Sequence, residues 1–94
     1  MKLLMALVDE GCKEELEVVL TRAGVSGYSE IPRAVGMGTS GPRLGSAAFP
    51  KTSAIILTFV EDDEAAKVAA AIRAQCPAAG RVHLVTWGVE SPGA

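Results

Sequence analysis

Uninterrupted apolar runs, helical stripes and one glycine-rich gap divide this chain. From Lys2 to Val8 the residues Leu3, Leu4, Met5, Ala6, Leu7 and Val8 follow without a polar break. A run of that length predicts a central strand buried on both faces. Asp9, Glu10 and Gly11 end it and place acid before a helix, where the helix dipole favours negative charge. Between Cys12 and Ala23 the apolar positions are Cys12, Leu16, Val19, Leu20 and Ala23, one face of a helix, with Lys13, Glu14, Glu17 and Arg22 opposite. Gly24 is its stop signal. Val25 to Val35 predicts a second strand, at an edge or bulged in its second half because Pro32 cannot donate to a ladder. Ser53 to Val60 is a third strand. A second helix, capped near Asp62, runs to about Gln75 on a stripe of Ala65, Val68, Ala69, Ile72 and Cys76, and Pro77 and Gly80 end it. Arg81 to Trp87 closes the pattern, with Val82, Leu84 and Thr86 alternating against His83, Val85 and Trp87.

The predicted order is β-α-β-β-α-β. Its simplest packing is an α+β, ferredoxin-like sandwich: a four-stranded antiparallel sheet with both helices on one face. At 94 residues the chain reads as a single domain, 1–94.

Between the second and third strands lies Ala34 to Thr52, with Gly36, Gly38, Gly41 and Gly45 and the prolines Pro42 and Pro50. Gly costs a helix interior about 1 kcal/mol and Pro about 3, and the stretch does not alternate as a strand would. It reads as a long loop, about 36–52, and long loops in compact domains are usually functional or disordered. Gly36 to Gly41 spells G-x-G-x-x-G, but Pro42, Gly45 and Pro50 forbid the helix that a dinucleotide-binding turn requires. A concavity of backbone N–H groups suited to an anion is the better reading. Arg43 and Lys51, with Arg33 at the entrance, supply positive charge, and Arg grips carboxylate or phosphate bidentately.

Composition sharpens this. The chain is 49% hydrophobic but only 4% aromatic. Its core is therefore built from small aliphatic residues, and a domain of this size gains from oligomerising to complete its burial. A net charge of −2 argues against nucleic acid as the main partner, which needs a basic face. No segment approaches the roughly 20 apolar residues of a membrane span. Asp9 and Glu10 follow the first apolar run where a leader would show a cleavage site, so the expected location is cytoplasmic.

In detail the arrangement resembles the PII-like signalling family over nearly the whole chain. Gly24 followed by Gly27, Tyr28, Ser29 and Glu30 is similar to the family's stretch after the first helix. Gly36-Met37-Gly38 stands where its T-loop opens, and Val60, Asp62 and Val68 stand where its second helix begins. The resemblance implies a homotrimer with effector clefts between subunits, where the T-loop base meets the loop after the second helix, and a T-loop that contacts a target protein. The ligand-binding candidates are Gly36, Gly38, Gly41, Arg43, Lys51 and Arg81. Nucleotide-binding members carry a Gly- and Lys-rich loop before the last strand. Here that loop is only Pro77-Ala78-Ala79-Gly80-Arg81 and no basic residue follows Trp87, so ATP or ADP is not expected to bind in the family's usual manner; Arg81 could supply one phosphate contact. An anion or a nucleotide-like molecule is the expected effector, and no cofactor is identified.

Other classes fit less well. An acylphosphatase-type enzyme needs an Asn to place its water, and the sequence has none. An RNA-recognition sheet needs stacking aromatics on its central strands; the first has none and the third only Phe59. Glu14-Glu15 and Asp62-Asp63-Glu64 read as solvated acids in first helical turns, so no catalytic residue is assigned. Two alternatives stay open. One is a metal-responsive trimer resembling the CutA group, needing His83, Cys12 or carboxylates to converge across an interface. The other is an assembly module whose loop docks on a larger complex without a small ligand. Cys12 and Cys76 read as two buried thiols in a reducing compartment; antiparallel helices leave a disulfide between those helix ends as the alternative.

Overall fold

The computed structural model describes residues 1–38, 41–48, 50–75, 82–90 and 92. Strand β1 (Lys2–Asp9) passes through a 3₁₀ turn (Glu10–Cys12) into helix α1 (Lys13–Arg22). Strand β2 (Ser29–Ala34), a small ribbon of β3 (Gly36–Gly38) and β4 (Gly41–Arg43), and strand β5 (Ser53–Val60) follow. Helix α2 (Ala65–Gln75) and strand β6 (His83–Gly88) complete the order.

The main sheet runs β2-β5-β1-β6, and every pairing in it is antiparallel. This is the ferredoxin-like arrangement expected from the pattern. Opposed residues in an antiparallel pair share a face, so register assigns the sides directly. Leu4 opposes Thr58, Ala6 opposes Ile56 and Val8 opposes Ala54. All six are buried, and the five apolar ones form one core with Leu16, Leu20, Val68 and Ile72 of the helices. Thr58 is the polar member, and its hydroxyl donates to the Gly27 carbonyl at 2.6 Å.

The other side of the sheet carries Leu3, Met5 and Leu7 of β1 opposite Phe59, Leu57 and Ile55 of β5. Trp87, Val85 and His83 of β6 continue the same rows. Neither helix covers this side: Phe59 is 62% exposed, and Trp87, Val85 and Ile31 are also exposed. The reading of β1 as buried on both faces therefore holds within one chain only for the helix side.

Helix α1 ends as its glycine predicts. Gly24 has φ +82°, its N–H donates to the Thr21 carbonyl, and the Val25 N–H donates to the Leu20 carbonyl. That pair of bonds is a Schellman cap, which needs a left-handed residue at Gly24. Strand β2 lies at the sheet edge, and its register against β5 shifts between Ile31 and Ala34, as Pro32 foretells. It is shorter than the expected Val25–Val35. Helix α2 begins at Ala65, after a turn through Asp62, Asp63 and Glu64. Asp62 forms an ion pair at 2.8 Å with the amino group of Met1. That hydrogen bond and charge hold its carboxyl below the usual range.

Two further expectations are corrected. The glycine-rich stretch is not irregular throughout, because β3 and β4 pair with Gly36 opposite Arg43, Met37 opposite Pro42 and Gly38 opposite Gly41. Antiparallel ladders alternate bonded and non-bonded pairs, so the central pair is where a residue without an N–H costs least. Cys12 is buried, but it is disulfide-bonded rather than a free thiol. Cys76, the other cysteine of the sequence, lies outside the described residues.

Candidate functional site

The β3–β4 ribbon leaves the sheet where β2 ends and returns where β5 begins. Its root is built from three chain segments. On the outgoing side, the register shift leaves Pro32 and Arg33 without partners in the β2–β5 ladder. Arg33 takes φ +58° there, a left-handed conformation that side chains rarely adopt. Its N–H donates to the Glu10 carboxylate. On the returning side, the Glu10 N–H donates to the Thr52 carbonyl at 3.2 Å. The 3₁₀ turn that carries Glu10 is itself held, because the Gly11 N–H donates to Asp9 Oδ1 at 2.8 Å.

Beyond the root, the Gly45 N–H donates to the Lys51 carbonyl at 3.3 Å, and Gly45 has φ +65°. A Cβ at Gly45 would stand 3.0 Å from Thr52 Cγ2, so both conformation and space favour glycine. At Gly36 nothing lies within 4 Å of where a Cβ would be; its value is not tight packing.

Under the ribbon is a cleft of about 280 Å³ lined by Leu7, Ala34, Val35, Gly36, Met37, Ser53 and Ile55. Leu7 and Ile55 belong to the uncovered side of the sheet, so the cleft opens onto that apolar face. A second cleft, of about 430 Å³, lies at the other end of β5. Its walls are the α1 cap (Ala23–Ser26), Phe59 to Glu61, and Glu64, Lys67 and Val68 of the α2 region. Tyr28, which lines a different cleft with Leu3, Leu57 and Phe59, carries a phenol whose pKa is raised by desolvation and then by the carboxylates of Glu17 and Glu30.

The sequence candidates divide accordingly. Gly36, Gly38, Gly41 and Arg43 come together on the ribbon, Gly36 and Arg43 as one pair and Gly38 and Gly41 as another. Lys51 is exposed on the returning segment. Arg81 lies outside the described residues. Among the described residues, no group of three or more His, Cys, Asp or Glu could hold a metal ion. His83 sits on the uncovered sheet side, opposite Leu7. Glu10 was legible only as an acid ahead of a helix, yet its carboxylate reaches a backbone N–H 23 residues away. No local pattern signals such a contact.

Comparisons with known proteins accord with this fold. Structures of CPII, a nitrogen regulatory PII-like protein from Thiomonas intermedia K12, are similar to it. The form bound to ADP, AMP and bicarbonate matches at a TM-score of 0.74 and 22% identity, covering 97% of this chain and 89% of that one. The form bound to ADP and bicarbonate matches at 0.73 and 23% identity, with the same coverage. A form bound to ADP, AMP and acetate matches at 0.70 and 22% identity, again over 97% and 89%. Identities this low establish a shared fold. No curated relative matches the sequence. The family model described as nitrogen regulatory protein P-II matches residues 1–87. With all four strands of the main sheet and both helices inside or reaching that span, the chain belongs to the nitrogen regulatory protein P-II family.

Proposed function

We infer that this protein is a non-catalytic regulator, a homotrimer that binds a small anionic or nucleotide-like effector in clefts between subunits. The glycine ribbon then presents a different surface to a target protein according to whether the effector is bound. One observation carries this reading: the cleft under the ribbon and the uncovered apolar side of the sheet share Leu7 and Ile55. Chains that associate through that side place the ribbon root at the edge of the subunit contact. An effector there senses two chains at once, and its differential binding shifts the ribbon between states.

The candidate contacts are the backbone of Gly36, Gly38 and Gly41 with the cations of Arg43, Lys51 and Arg81. Similar structures hold ADP, AMP and bicarbonate, which makes adenine nucleotides and small oxyanions the first ligands to try. For the target, the ribbon offers Met37, 76% exposed, with exposed Val35 and Leu44 flanking its two strands. No helix among the described residues is long and apolar enough to cross a membrane. The CutA-like alternative loses one of its ligands, since a disulfide-bonded Cys12 offers no thiolate.

A thermal-shift screen against ADP, AMP, bicarbonate, small carboxylates and divalent metals tests the reading. A ligand at a hundred times its dissociation constant adds about 2.7 kcal/mol, roughly 10–20 °C for a domain of this size. The expected result is a rise with an anion or nucleotide that is lost in Arg43→Ala or Gly38→Val. A rise with metals alone would favour the CutA-like alternative, and a flat screen the ligand-free docking module.

A further inference from the structure

We propose that Glu10 is the positioning residue for the glycine loop, clamping both of its feet to the turn between β1 and α1. Its main chain and its side chain serve opposite feet: the Glu10 N–H donates to Thr52 on the returning side, and its carboxylate accepts from Arg33 on the outgoing side. The turn is a firm anchor. Asp9 pairs with Ser53 in the β1–β5 ladder and accepts the Gly11 N–H, and Cys12 is buried and disulfide-bonded.

The outgoing foot needs such a partner. The β2–β5 register shift takes Arg33 out of the ladder, and its left-handed backbone is unfavourable for a residue with a Cβ. A carboxylate acceptor makes the hydrogen bond charge-assisted and offsets that cost. The bond lies at an exposed position, so losing it releases the foot locally while the core, centred on Leu4, Ile56, Leu20 and Ile72, stays packed. The loop's resting geometry is therefore set from outside the loop, by one acid at the entrance to α1. Its meaning for signalling rests on the regulatory reading above; the clamp itself does not.

The test compares Glu10→Ala and Glu10→Gln in the full chain by limited trypsin digestion and by hydrogen exchange, with no effector or target present. A hydrogen bond to a charged group is worth roughly 1.5–3 kcal/mol, a tenfold or larger change in local opening. Glu10→Ala is expected to speed cleavage after Arg33, Arg43 and Lys51, and exchange of the Arg33 amide, by about tenfold or more. Cleavage after Arg22 and Lys67, in the helices, should not change. Glu10→Gln keeps an acceptor oxygen at the same reach but not its charge, and should fall between the wild type and Glu10→Ala. Unchanged loop cleavage in Glu10→Ala, an equal rise at the helical sites, or a Gln variant as open as the Ala variant would each overturn the proposal. Because no ligand is involved, failure of the effector screen leaves this result standing, and the reverse holds too.

Discussion

Met5→Glu is expected to convert the wild-type assembly into single chains that remain folded. Met5 lies at the middle of the uncovered sheet side, with Leu57 and Val85 opposite it on either flank. In an isolated chain its side chain is only half-buried, so a glutamate there can stay hydrated and the helix-side core is untouched. In an assembly that covers this face, each copy brings an unpaired carboxylate into an apolar contact, at a cost of several kcal/mol per ion. With one such charge per subunit, that penalty exceeds what a small interface can offset. Light scattering after size exclusion should give about three times the 9.7 kDa chain mass for the wild type and the single-chain mass for Met5→Glu, with unchanged far-ultraviolet circular dichroism. A variant that keeps the wild-type mass would mean that the subunits meet elsewhere.

Reduction is expected to produce the largest loss of stability. Cys12 is disulfide-bonded at the entrance to α1, and the sequence has one other cysteine, Cys76. A bond between those positions closes a loop of about 64 residues, and the chain-entropy account assigns such a loop roughly 4 kcal/mol, within a measured range of about 0–5. A domain of this size has only about 5–14 kcal/mol in total. At fixed protein concentration, dithiothreitol should therefore lower the melting midpoint by roughly 15–30 °C. Cys12→Ser should melt near the reduced wild type and lose its response to dithiothreitol. Two titratable thiols in the protein as purified, with no response to reductant, would contradict the expectation. In a compartment poised by glutathione, the same bond makes the α1 entrance, two residues from Glu10, sensitive to thiol balance.

Much of this architecture was legible in the residues, and the exceptions have physical causes. The runs of β1 and β5 and the stripes of α1 and α2 were readable because burial imposes a period on each. Gly24 was readable as a stop because a Schellman cap requires a residue that tolerates a left-handed backbone. Pro32 marked the bulge because it lacks a donor. The continuous run of β1, however, does not say what covers each face: helices bury Leu4, Ala6 and Val8, whereas Leu3, Met5 and Leu7 lie half-buried on the side that neither helix covers. The β3–β4 ribbon was hidden because glycine and proline argue against a strand, while a ladder with Pro42 at a non-bonded position tolerates both. Among the candidate site residues, the ribbon glycines and Arg43 could be grouped because they are neighbours in sequence. Glu10 could not, since its contact with Arg33 exists only once β1 and β2 lie in the same sheet.

The most direct test of an effector site between subunits is native mass spectrometry with ADP on the wild type and on Met5→Glu. The expected spectra show a wild-type trimer of about 29 kDa taking up as many as three nucleotides, and single Met5→Glu chains taking up none, because each cleft lacks its neighbour. Single chains that bind ADP as well as the wild type does, or a wild-type protein that takes up none, would contradict the assignment of a nucleotide-like effector to a site shared between subunits.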